Sequence, residues 1–172
     1  MTQTTSTAIL ALTLAVTLPH GSEAGEMAQT EVRSEDEEAI KRICLERIDR
    51  FNRLHEPPQP GDFTSDADFV NIYGMWRRGP AEIESGQGER MKTVLKEAKI
   101  TLLDLRIRFV RPDVALVHQI HEMSGMLSPD GETLPPYREL GIRVMVKEQG
   151  RWLTTAFHNT IVRPVAPVAP TQ

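Results

Sequence analysis

Three observations predict an α+β fold with helices first and an antiparallel sheet after them. Apolar residues recur at helical spacing between Ile40 and Leu54, and the period changes to alternation from Ile100 onward. Turn signals at Arg111-Pro112-Asp113, Pro129-Asp130-Gly131 and Gln149-Gly150 cut the alternating part into strands that double back on one another. A chain of 172 residues, 40% of them hydrophobic, is large enough to bury one core.

The first residues stand apart from this pattern. The apolar run Ala8 to Leu18 is too short to span a bilayer, and Pro19, Gly21 and Ser22-Glu23-Ala24 follow it. Small residues at positions 22 and 24 are what a signal peptidase reads, so residues 1–24 are expected to be a signal peptide. The rest would be exported to the periplasm or beyond the cell. No Lys or Arg precedes the run, which keeps a cytoplasmic protein with an apolar tail as the other reading. Residues 25–33 are expected to be a linker, residues 34–163 the domain, and the proline-rich residues 164–172 a tail without fixed structure.

Within the domain, Ser34 and Glu37 have capping-box spacing at the start of an acidic first turn. Ile40, Ile43, Cys44, Ile48, Phe51 and Leu54 then form one apolar face, and Pro57-Pro58 ends the helix. A strand is predicted over Ala67–Tyr73, with Gly74 turning it into a short return through Met75-Trp76-Arg77. Gly79-Pro80 opens a second helix over Ala81–Glu97, which Gly86 and Gly88 are expected to weaken or bend. In the first strand of the meander, Thr101, Leu103, Leu105, Ile107 and Phe109 share a face opposite Asp104, Arg106 and Arg108. In the third, Leu140, Ile142, Val144 and Val146 alternate with Glu139, Arg143 and Lys147. The helices are expected to cover the apolar face of this sheet.

Composition excludes several function classes. A formal net charge of −4 lacks the basic surplus that nucleic acid requires, and no segment is built to span a membrane. The single cysteine, Cys44, permits no internal disulfide; on an apolar helix stripe it reads as a small buried hydrophobe. No glycine-rich phosphate loop, dinucleotide fingerprint or nucleophile elbow occurs, so no cofactor is expected. His118 and His121 are three apart, which in a regular strand puts them on opposite faces, so no metal site is expected either.

The stretch FTSDADFVNIYGMWRRGPAEI, with Asp66-Ala67-Asp68-Phe69 followed by Gly74, Gly79 and Ile83, and the closing GRWLTTAFHNT carry a resemblance. Together with the long helix they resemble the nuclear-transport-factor-2-like superfamily, in its SnoaL-like and SgcJ/EcaC-type branch, over residues 34–163. The resemblance implies a curved antiparallel sheet of about six strands wrapped around N-terminal helices to form a cone with an open mouth. It also implies a tendency to homodimerise. Relatives include steroid isomerases, polyketide cyclases and dehydratases, and some carry an oxidoreductase label that nothing in this sequence supports. Fold alone does not select among these activities.

Side-chain parity sorts the candidate pocket residues. In the last strand Leu153, Thr155, Phe157, Asn159 and Ile161 share a face, with Trp152 and His158 opposite. In the strand VALVHQIHEM the favoured parity turns His118 and Glu122 inward and His121 outward, and a β-bulge would reverse it. His118, Glu122 and Asn159 are therefore the expected catalytic set, with Tyr73, Trp76, Thr155 and Phe157 lining the pocket. A histidine beside a carboxylate can act as a general base, and an asparagine amide can donate to a developing enolate. The function so implied is a cofactor-independent lyase or isomerase acting on a small apolar carbonyl compound. The other reading is a non-catalytic ligand-binding or dimerisation module, in which these residues satisfy one another. A homodimer is expected through the outer face of the sheet, where parity puts Trp152, Met145 and Val110.

Overall fold

The computed structural model describes the backbone of residues 23–163 and the side chains from residue 31 onward. The expected signal peptide, apart from its last two residues, and the tail lie outside the described residues. Helix α1 spans Glu23–Asp49, so it runs through the expected linker, and Ser34 lies inside it rather than at its cap. The segment Met27–Arg33 contains no breaker, and good helix formers let the helix extend upstream. At its other end α1 widens into a π-turn, Arg50–Leu54, which His55 terminates with φ of 52°. Asn52 in that turn clamps the sheet, donating from Nδ2 to the Ile100 carbonyl and accepting the Ile100 N–H, both at 2.8 Å.

Six strands follow or flank helix α2 (Gly79–Lys92): β1 (Phe63–Val70), β2 (Trp76–Arg78), β3 (Lys99–Arg111), β4 (Val114–Ser124), β5 (Tyr137–Glu148) and β6 (Arg151–Ile161). They form one sheet in the order β2-β1-β6-β5-β4-β3. The β3–β6 meander is antiparallel, as expected, but β1 pairs with β6 in parallel, so the sheet is mixed. The cause is topological. The chain leaves the β1–β2 hairpin through α2, enters the sheet at its far edge, and returns beside β1 only with β6. Helix α2 is unbroken at Gly86, where the Arg77 guanidinium occupies the space a Cβ would fill.

Bulges at Leu103 in β3 and Thr155 in β6 bend the sheet and reverse side-chain parity along those strands. Leu105, Ile107 and Phe109 pack inward as expected, whereas Leu103 is 44% exposed. In β6 the bulge puts Trp152 and Thr154 inside below it and Phe157 inside above it. Trp152, 5% exposed, and fully buried Met145 therefore belong to the core beneath α1, with Ile40, Cys44, Ala115 and Val117. This corrects the expectation that Trp152 and Met145 lie on the outer face; of the expected trio only Val110 is exposed. The Trp152 Nε1–H donates to Asp36 Oδ1 at 2.9 Å, which also takes Lys147 Nζ at 2.7 Å. Two further clusters close the cone: Phe63, Ala67, Phe69, Ile83 and Phe157 under α2, and Met91, Leu95, Ala98, Met123 and Met126 around its C-terminal end. No described helix is long and apolar enough to cross a membrane.

Candidate functional site

Between these clusters and the π-turn lies a cavity of about 110 Å³, floored by the inner faces of β4, β5 and β6. The inward positions are Gln119, His121 and Met123 in β4 and Glu139, Gly141 and Arg143 in β5, with Phe157 and Asn159 in β6. Gly141 keeps the floor open: a Cβ there would sit 3.2 Å from the Phe157 ring. His121 and Glu139 are direct cross-strand partners, as are Gly141 and Asn159. Opposed positions on one face of an antiparallel pair put their Cβ atoms roughly 5 Å apart.

The polar groups of the floor are largely buried. The Glu139 carboxylate accepts the Asn159 amide N–H at 2.7 Å, while burial drives its pKa upward. His121 is 9% exposed with its Nε2 unpartnered. Burial, and then the charges of Arg143 and Arg47, push its pKa down to about 4, so the ring is neutral at physiological pH. Tyr137, beside them, donates its hydroxyl to Met126 Sδ at 3.3 Å, and burial with the nearby Glu139 carboxylate raises its pKa. Arg143, 3% exposed, donates from Nη1 to Thr154 Oγ1 at 2.9 Å and stacks over Phe157, 4.7 Å from the ring centre. Its Nε has no partner, nor does Nη1 of Arg47, which reaches the same cavity from α1.

The expected site residues separate into two groups. Phe157 and Asn159 line the cavity, although the amide of Asn159 is engaged with Glu139 rather than free to meet an enolate. His118 and Glu122 face outward, which corrects the parity assigned to β4: His118 is exposed, and Glu122 meets Arg138 at 3.9 Å. Tyr73 and Trp76 are 55% and 62% exposed; Trp76 bonds Asp68 at 2.6 Å, and Arg90 lies over Tyr73. Neither lines the cavity, and nor does Thr155, the bulge residue, whose hydroxyl meets Thr64 at 3.3 Å.

Arg47, His121, Glu139 and Arg143 line the cavity but were not among the residues expected there. A signal for Arg47 was present: Ile40, Cys44, Arg47 and Phe51 are separated by four, three and four, which sets the arginine in the apolar stripe. In β5 the apolar Leu140, Ile142 and Val144 face outward and the polar set faces the cavity, the reverse of what an ordinary core demands.

With this geometry in view, several solved structures are similar. A cystatin-like-fold protein from Caulobacter vibrioides matches at 27% identity over 76% of this chain and 92% of its own, with a TM-score of 0.68. The chain has this cystatin-like fold, which is also that of nuclear-transport-factor-2-like proteins. An NTF2-like protein from Novosphingobium aromaticivorans matches over 86% of this chain and 94% of its own at 11% identity, TM-score 0.67. A hexachlorocyclohexane dehydrochlorinase, LinA-type3, from Novosphingobium barchaimii LL02 matches over 83% and 99% at 13% identity, TM-score 0.67. No family model and no curated protein matches the chain.

Proposed function

We propose that this protein is a cofactor-independent lyase or isomerase that moves a proton next to the carbonyl group of a small compound held in the cavity. The observation that carries the reading is the juxtaposition of Glu139 and His121, opposed in register, both buried and both facing one cavity. A carboxylate made more basic by burial is suited to remove a proton from carbon. The electron pair moves into the carbonyl, and the developing enolate oxygen accepts a hydrogen bond from the neutral imidazole of His121. The Glu139 carboxyl, held by Asn159, then returns the proton to a neighbouring atom in an isomerisation, or to a departing group in an elimination. The fold is shared with a hexachlorocyclohexane dehydrochlorinase, which supports elimination as chemistry it can house. Membership of the SgcJ/EcaC-type branch is part of the same proposal, supported by the spacing of Asp66–Phe69, Gly74 and Gly79.

A homodimer through the outer sheet face is also proposed, now through Leu116, Ile120, Leu140, Ile142 and Val144, a patch in which Leu140 is 40% exposed.

Proton exchange tests the catalytic reading without knowledge of the final product. Small carbonyl compounds, 2-oxobutanoate and its methyl ester among them, are incubated with the protein in D₂O and followed by proton NMR. Loss of the signal next to the carbonyl should be accelerated by the wild type and by His118→Ala, and abolished in folded Glu139→Gln. Equal exchange in wild type and Glu139→Gln would remove Glu139 from the chemistry.

A further inference from the structure

We infer that the compound held in the cavity is a small carboxylate, its anionic group seated between the guanidinium groups of Arg47 and Arg143. This rests on the reading of the cavity as a small-molecule site and adds the chemical class of what enters it. Two like charges meet at one cavity here, Arg143 buried and Arg47 half-buried, and their repulsion costs stability unless something compensates it. Among the described residues no carboxylate forms an ion pair with either arginine. Asp62 is paired with Arg50 at 2.6 Å and acts on Arg47 and Arg143 only from a distance, and Glu56, which also lines the cavity, pairs with neither. Glu139 spends an oxygen on Asn159 and forms no ion pair with either arginine.

Each arginine keeps an unclaimed donor, Nη1 on Arg47 and Nε on Arg143, both enclosed away from solvent. Arg143 is fixed by Thr154 on one nitrogen and by the Phe157 ring beneath its plane, so its guanidinium is already ordered before anything binds. Two guanidinium donors match the two oxygens of a carboxylate. A cavity of about 110 Å³ leaves room for a few further heavy atoms, among them a carbonyl within reach of His121 and Glu139. The charge also bears on the chemistry. Arg47 and Arg143 help to hold the His121 pKa down, so an anion between them relieves that field.

The test is calorimetric titration of 2-oxobutanoate, methyl 2-oxobutanoate and inorganic phosphate into wild type, Arg47→Met and Arg143→Lys. The acid is expected to bind wild type at least about tenfold more tightly than its ester, and Arg47→Met to lose that preference. Arg47 sits on the helix rather than in the sheet, so Arg47→Met keeps the test open if Arg143 variants fail to fold. In the wild type the His121 ring pKa should rise when the acid binds and stay put with the ester. An ester that binds as tightly as the acid, an unaffected Arg47→Met, or phosphate that outcompetes the acid would overturn the carboxylate assignment. Exchange of ester protons without preference for the acid would overturn this inference and leave the proposed proton transfer standing. Tight, Arg47-dependent binding of the acid without proton exchange would do the reverse.

Discussion

Acid should destabilise this protein in large part through His121. The ring is buried and neutral, and its pKa falls from 6.5 to about 4 on folding. Because the folded value is the lower one, the unfolded chain takes up the proton first. The stabilising contribution is therefore complete above about pH 6.5 and is lost as the pH falls toward 4. A drop of this size corresponds to about 3 kcal/mol, a large share of the stability of a small domain. The assay is denaturant unfolding of wild type and His121→Gln at several pH values between neutrality and that lower limit. Glutamine keeps a polar group and cannot titrate, so the difference between the two proteins isolates His121 from the carboxylates that also protonate in this range. Wild type should lose about 3 kcal/mol more than His121→Gln across the window. Parallel curves, or a His121 resonance that titrates like a free imidazole, would mean that folding does not hold the ring neutral.

Three further outcomes follow from the same packing. His118→Ala should change stability by no more than about 0.5 kcal/mol in thermal melts, because His118 is exposed on the outer face; a loss above 2 kcal/mol would restore it to the interior. Asp36→Ala should cost about 1–3 kcal/mol in denaturant unfolding, since it leaves the buried Trp152 N–H without its acceptor, and Trp152→Phe in the same background should recover part of the loss. Leu140→Glu should convert a dimer to monomer in light scattering without unfolding it; a wild-type protein already monomeric at micromolar concentration would dispose of the proposed interface.

The fold was far more legible in the sequence than the site was. The change of period at Ile100, the turns at Pro112, Gly131 and Gly150, and the prolines after α1 are local signals, and each marks an element the structure contains. The parallel pairing of β1 with β6 was not legible, because it joins segments 91 residues apart at Thr64 and Thr155 and depends on where the meander ends. Facing depended on something local sequence conceals. One bulge residue, Thr155, reverses parity within β6, so Trp152 and Phe157, five apart, both point inward. In β4, Val117, Gln119 and His121 compete with Leu116, His118 and Ile120 for the core, and alternation cannot choose between two half-apolar faces. In β5 alternation gave the wrong choice, because an interior that holds a polar cavity inverts the usual rule. Asn159 and Phe157 lie beyond the bulge, where the facing read from the sequence and the observed facing coincide.

A crystal structure of the protein soaked with 2-oxobutanoate decides whether the two arginines and Glu139 act on one molecule. It should show the carboxylate hydrogen-bonded to Arg47 and Arg143, and the carbon next to the carbonyl facing the Glu139 carboxyl at about 3 Å. A ligand bound outside the cone, or one inside it with its carboxylate turned away from both arginines, would contradict the account.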